Sequence, residues 1–166
     1  HYRTIAAPYA RVLAGLSSGG GIAAYLQTHY PLMFGGAWIF APDPVDFHDF
    51  YTVNLHSDDN AFRQPGHTWG ALAPERYVYR SPNGQSLVTT RQMSLLSRVL
   101  GSRGRSGEWL DNYNAIYGPT TGDGYPTPVW NYETGTINRE IVAQWQANGF
   151  ELLDYLRQHW ATLAPT

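Results

Sequence analysis

Five residues, Gly15-Leu16-Ser17-Ser18-Gly19, constrain this chain more than any other part of it. They follow a short apolar run, residues 11–16 (RVLAGL). They precede residues 20–30 (GGIAAYLQTHY), where Ile22, Ala23, Leu26 and Tyr30 recur at helical spacing until Pro31 ends the pattern. The reading is a buried strand, a sharp corner and a helix of about three turns. A serine at the tip of such a corner sits in strained backbone, and side chains flanking it are expected to collide with the strand and the helix, which glycine avoids. The corner lifts the Ser17 hydroxyl above the sheet edge and turns the Ser18 backbone N–H toward a developing oxyanion. That is the mechanical content of a G-x-S-x-G nucleophile. A bare five-residue match is weak, and the strand before it and the helix after it are what make it specific. A Gly-rich phosphate cradle is the competing reading, but the P-loop lysine is missing, as is a G-x-G-x-x-G with a following acid.

Residues 36–41 (GAWIFA) read as a second buried strand, closed by Pro42 and Pro44. Strand, helix and strand make a parallel crossover unit, which needs neighbours on both faces. Beyond Pro44 the text is rich in Asp, His, Asn, Pro and aromatics with little periodicity. It is read as long loops, with one hairpin where YVYR and SLVTT flank Pro82, Asn83 and Gly84. Helical spacing returns at residues 91–100. Further helices are expected at 106–116 behind a Ser106 cap, at 138–147 capped by Asn138, and at 150–160 after a break at Gly149.

Composition bounds the function. All 11 basic residues are arginine and the formal charge is −2, which gives no basic patch to neutralise phosphates, so nucleic acid is not an expected partner. The longest apolar stretch, residues 35–41, is far short of the ~20 residues that span a bilayer, so no membrane span is expected. Cysteine is absent, which removes disulfides and thiolate metal sites.

Other candidates are less specific. Asp43 and Asp46 follow the second strand and so share the sheet edge with Ser17, where one of them could orient a histidine, although Asp beside Pro more often bonds nearby backbone. His48, His56, His67 and His159 follow in the chain order serine, acid, histidine, none of them in a recognisable setting. Asp58-Asp59-Asn60 and Gly122-Asp123-Gly124 resemble fragments of calcium loops but lack the alternation and closing Glu of an EF-hand, so turns are expected and no metal is assigned. The aromatic set Trp109, Tyr113, Tyr117, Tyr125, Trp130, Trp145 and Trp160 fits a core better than a substrate cleft.

With Ser17 in place, residues 9–47 (YARVLAGLSSGGGIAAYLQTHYPLMFGGAWIFAPDPVDF) resemble bacterial esterases of the α/β-hydrolase superfamily, in the enterochelin-esterase-like and esterase-D-like branch. DDNAF, VLGSRGRSG, GDGYPTPVW and YLRQHW extend the resemblance along the chain. It implies an α/β class and a partial α/β-hydrolase fold: nucleophile strand, helix and next parallel strand in residues 1–44, then a loop-rich, mainly helical cap-like insertion over 45–166. It implies Ser17 as nucleophile and the Ser18 N–H as half of an oxyanion hole, with a small-molecule ester as substrate and no cofactor. It also implies a central fragment, whose first strands would precede His1 and whose catalytic acid and histidine would follow Thr166.

Two parallel strands and one helix cannot satisfy both sheet edges, so other segments of the same enzyme, or a partner chain, are expected to complete the sheet. Two rival readings stand beside the esterase. One is a non-catalytic binding or structural module of hydrolase ancestry. The other is a self-contained enzyme that recruits Asp43 or Asp46 with His48, His56 or His67.

Overall fold

A computed structural model of the chain describes residues 5–66, 73–101 and 110–164. Helices and strands are mixed, and one strand pair is parallel. The described residues form two compact units: those up to Asp46 together with those from Gly149 onward, and those from Phe47 to Asn148. The expected insertion began at residue 45 and ran to the end, whereas residues 149–164 group with the first unit.

In the first unit, β1 (Val12–Leu16) leads into α1 (Ser18–His29), which returns to β2 (Gly36–Phe40), and β2 lies parallel to β1 with Val12 opposite Gly36 and Leu16 opposite Phe40. A single crossover helix between adjacent parallel strands is the βα β arrangement that the apolar runs predicted. The helix buries Gly20, Ala23 and Ala24 and leaves Ile22 and Tyr30 exposed. Of the expected face, Ile22, Ala23, Leu26 and Tyr30, only Ala23 is buried, for a steric reason. A Cβ at Gly20 would stand 2.9 Å from the Phe40 carbonyl oxygen and 3.3 Å from the Pro42 Cα, so α1 lies on the strands by backbone contact and only small residues fit there. The second helix of this unit, α5 (Leu152–Leu163), packs against α1 and starts three residues beyond Gly149, whose φ of +77° makes the break read from the sequence.

Among the described residues, one face of the two-stranded sheet has no cover. Gly15 marks the face that α1 occupies, and on the opposite face Val12, Leu16, Trp38 and Phe40 are 57, 69, 66 and 55% exposed. Parallel sheets ordinarily carry helices on both faces, because strands of this composition lose most of their stabilisation if one face stays in water.

The second unit holds the aromatic core. The hairpin of β3 (Tyr77–Arg80) and β4 (Ser86–Thr89) turns at Gly84, φ +83°, where the sequence placed it. Thr89 then caps α2 (Thr90–Leu100) in a reciprocal capping box with Gln92. Helix α3 spans Leu110–Tyr117; the expected Ser106 cap and Trp109 lie outside the described residues. Helix α4 (Arg139–Ala147) starts at the expected cap, with Asn138 accepting from the Ile141 N–H. Phe47, Phe50, Tyr113, Tyr117, Trp130 and Trp145 are buried together, ring edge to ring face in several pairs, while Trp160 of the first unit is exposed. Asp58 turns out to be a buried ion-pair partner: its Oδ2 lies 2.8 Å from the Arg76 guanidinium, which also donates to the carbonyls of Arg63 and Thr52. Asp123 caps a turn at Gly124 through the Thr121 hydroxyl and the Tyr125 N–H.

Candidate active site

Ser17 stands at the carboxyl end of β1 as the single residue between that strand and α1. Its backbone has φ 55° and ψ −125°, a conformation an L-residue adopts at a cost of about 1–3 kcal/mol unless its surroundings impose it. Two backbone bonds impose it here. The Ser17 N–H donates to the Phe40 carbonyl at 3.0 Å, locking the corner to the end of β2, and the Ser17 carbonyl accepts from the Gly21 N–H at 3.0 Å, starting the helix. The side chain is left exposed.

The glycines divide unequally. A Cβ at Gly15 would lie 2.0 Å from the Gly19 oxygen and 2.2 Å from the Gly19 carbon, a collision with backbone. At Gly19 a Cβ would meet nothing within 4 Å. The expectation that both motif glycines avoid a collision therefore holds for Gly15 and fails for Gly19. A second position with no room is Gly20, outside the five-residue motif. Three consecutive glycines were the signal that would have found it.

Ser18 is the first residue of α1, so its N–H has no acceptor within the helix and lies at the positive end of the helix dipole, one residue from the Ser17 hydroxyl. Its side chain donates from Oγ to Asp43 Oδ1 at 3.3 Å. Asp43 is buried, and its side chain also lies against the first turn of α1, 3.2 Å from the place of a Cβ on Gly21. The structure thus brings Ser17, Ser18 and Asp43 to one rim, with Asp43 holding the helix start. Asp46 is half-buried at the end of this segment. Between β2 and Asp43 the chain turns at Ala41, φ +40°, a second strained corner beside the first. Sequence reasoning missed Ala41, since a residue before proline ordinarily stays extended.

Among the described residues no side chain hydrogen-bonds the Ser17 hydroxyl. His48 and His56 belong to the second unit, with their rings 4.6 Å apart. His159 is exposed on α5 with its ring 4.3 Å from that of Tyr155, and His67 lies outside the described residues. Within the first unit, no described imidazole hydrogen-bonds the Ser17 hydroxyl. No helix of the described residues is long and apolar enough to cross a membrane.

No protein-family model, no curated protein and no solved structure matches the chain.

Proposed function

We propose that this chain carries the nucleophile of a serine hydrolase acting on small-molecule carboxylic esters, within a partial α/β-hydrolase fold. The observation that carries the reading is the backbone of Ser17: positive φ in a residue other than glycine, exposed, at the junction of a parallel strand and a helix N-terminus. Strain of this kind persists where the surrounding structure enforces it, and here it holds a hydroxyl beside an unpaired backbone donor.

In the proposed reaction the Ser17 oxygen attacks the ester carbonyl carbon while a histidine from outside the described residues takes its proton. The tetrahedral oxyanion is stabilised by the Ser18 N–H and the α1 dipole. Collapse expels the alcohol, which recovers the proton, and leaves Ser17 acylated. Water then releases the carboxylic acid and restores the serine. None of these steps calls for a cofactor. Among the described residues, a sheet of only two parallel strands with Val12, Leu16, Trp38 and Phe40 bare on one face supports further strands and a covering layer supplied by other segments of the same enzyme or by a partner chain.

A non-catalytic module of the same ancestry is favoured by one observation, the absence of any hydrogen bond to the Ser17 hydroxyl among the described residues. Turnover of an activated aryl ester separates the two readings. The chain with its sheet completed should show a burst of alcohol release that Ser17→Ala abolishes, and the 166-residue chain alone should show none. Identical turnover by the wild type and Ser17→Ala would leave the binding module as the reading.

A further inference from the structure

The C-terminal end of α1 carries a feature that the proposed chemistry does not use. Five rings stack in order across α1 and α5: Phe150, Tyr25, His29, Tyr155 and His159. Successive centroids are 5.0, 3.9, 4.0 and 4.3 Å apart, and no two neighbours are tilted by more than 36°. His29 is the middle ring, pressed between two tyrosines, one from its own helix and one from α5. Its Nδ1 lies 3.0 Å from the Tyr25 carbonyl oxygen. A carbonyl only accepts, so Nδ1 carries the proton, and in the neutral ring Nε2 holds a lone pair.

That second nitrogen is buried and has no hydrogen-bond partner among the described residues. It is closed off by Gly149, the residue that turns the chain toward α5: a Cβ there would stand 2.4 Å from Nε2. A neutral lone pair buried there without a donor costs less than a buried charge would. A proton on the same atom is not tolerated, because a charged N–H would then be buried with no acceptor.

We propose that His29 is an acid-sensitive clasp: neutral, it holds α5 against α1 through the ring stack, and protonation of Nε2 releases α5.

Among the described residues, the rings of Tyr25 and Tyr155 lie against His29, Arg11 and Tyr30 line the cavity beside it, and His159 acts on it from beyond Tyr155. None of these is a carboxylate, and none can neutralise an imidazolium. The faces of Tyr25 and Tyr155 attract a cation and offset part of this cost, but neither face supplies an acceptor to the Nε2 proton. Burial, the largest influence, together with the charge of His159, holds His29 below the ordinary 6.5, and the bond to the Tyr25 carbonyl pulls the other way. The stack disfavours charge on Tyr25 as well, which burial first, then Tyr30 and Tyr155, raise above 10. For a histidine whose folded value is depressed, the unfolded chain binds more protons below 6.5. The clasp is therefore at full strength above 6.5 and weakens as the pH falls from there toward the folded value.

The test is hydrogen exchange of the α5 amides in the full chain, corrected for the intrinsic pH dependence of exchange, at about pH 7.5 and about pH 5. The expected result is an opening equilibrium for α5 that grows as the pH falls below 6.5, by at most tenfold per pH unit, and levels off at the folded value. His29→Asn keeps an N–H for the Tyr25 carbonyl and cannot titrate, so its α5 exchange should lose that acid response whatever its baseline. Because the variant alters the stack, the wild-type imidazole is titrated separately by nuclear magnetic resonance, with a His29 midpoint expected below 6.5. A midpoint at or above 6.5 overturns the clasp. So does corrected α5 exchange that is equal at the two pH values, or an Asn variant that loosens in acid as the wild type does.

Discussion

Replacing Gly15 and Gly19 separately by alanine asks which glycine of the corner the fold requires. At Gly15 the new methyl would sit 2.0 Å from the Gly19 oxygen, 2.2 Å from its carbon and 2.7 Å from the Gly20 nitrogen, all of them backbone. No rotamer change relieves that, so the junction of β1 and α1 has to open by about 1 Å. Overpacking of this kind costs about 1–3 kcal/mol and sometimes more, and contact with backbone on both sides of a peptide puts Gly15→Ala near about 3 kcal/mol. For a chain of 166 residues that is a fall in Tm of about 6–12 °C. Gly19→Ala has open space at the Cβ and lies in the first turn of α1, where alanine is the better helix former. It should be neutral or raise stability by about 0.5 kcal/mol. Thermal and denaturant unfolding followed by circular dichroism measures both variants. A Gly15→Ala protein within about 1 kcal/mol of wild type, or a Gly19→Ala protein as damaged as Gly15→Ala, would refute the geometry given for the corner.

Ser17→Gly should remove every reaction at that position yet stabilise the chain by about 1 kcal/mol, because glycine adopts φ 55° without the strain a serine bears; a melt no higher than that of Ser17→Ala would count against strain at the corner. Arg76→Leu leaves the Asp58 carboxylate buried and uncompensated and should destabilise the second unit by about 3–5 kcal/mol, with much of the loss recovered when Asp58→Asn is added. Additive losses in the double variant, read from urea unfolding, would show that the pair is not coupled.

What the sequence disclosed and what it withheld follow from the range of the forces involved. The corner, β1, β2 and α4 were legible because their causes are local: glycines beside Ser17, an apolar run before it, prolines after β2, and Asn138 one residue before α4. The buried face of α1 was not legible. Hydrophobic periodicity favoured Ile22, Ala23, Leu26 and Tyr30, of which Ala23 is buried, whereas close approach to the Phe40 and Pro42 backbone selected Gly20, and that approach is visible only once the strands are placed. The same holds for residues 47–62, where Phe47, Phe50, Val53, Leu55 and Phe62 are buried with almost no regular structure to give them a period. Residues 149–164 looked like the end of the insertion, and what assigns them to the first unit is the ring stack between Tyr25, His29 and Tyr155, over a hundred residues apart in sequence. At the candidate site Ser17 and Ser18 were legible from the motif. The strained Ala41 corner, which brings Asp43 back onto the start of α1, was not.

The proposed chemistry requires Ser17 to be a nucleophile held out on a strained corner. Its most direct measurement is reaction of the intact protein, expressed from its whole reading frame, with a fluorophosphonate, followed by peptide mass mapping. One phosphonyl group on the Ser17 hydroxyl, absent from Ser17→Ala and not transferred to Ser18, is the predicted result. An unmodified Ser17, or an adduct on another residue that survives Ser17→Ala, would contradict it.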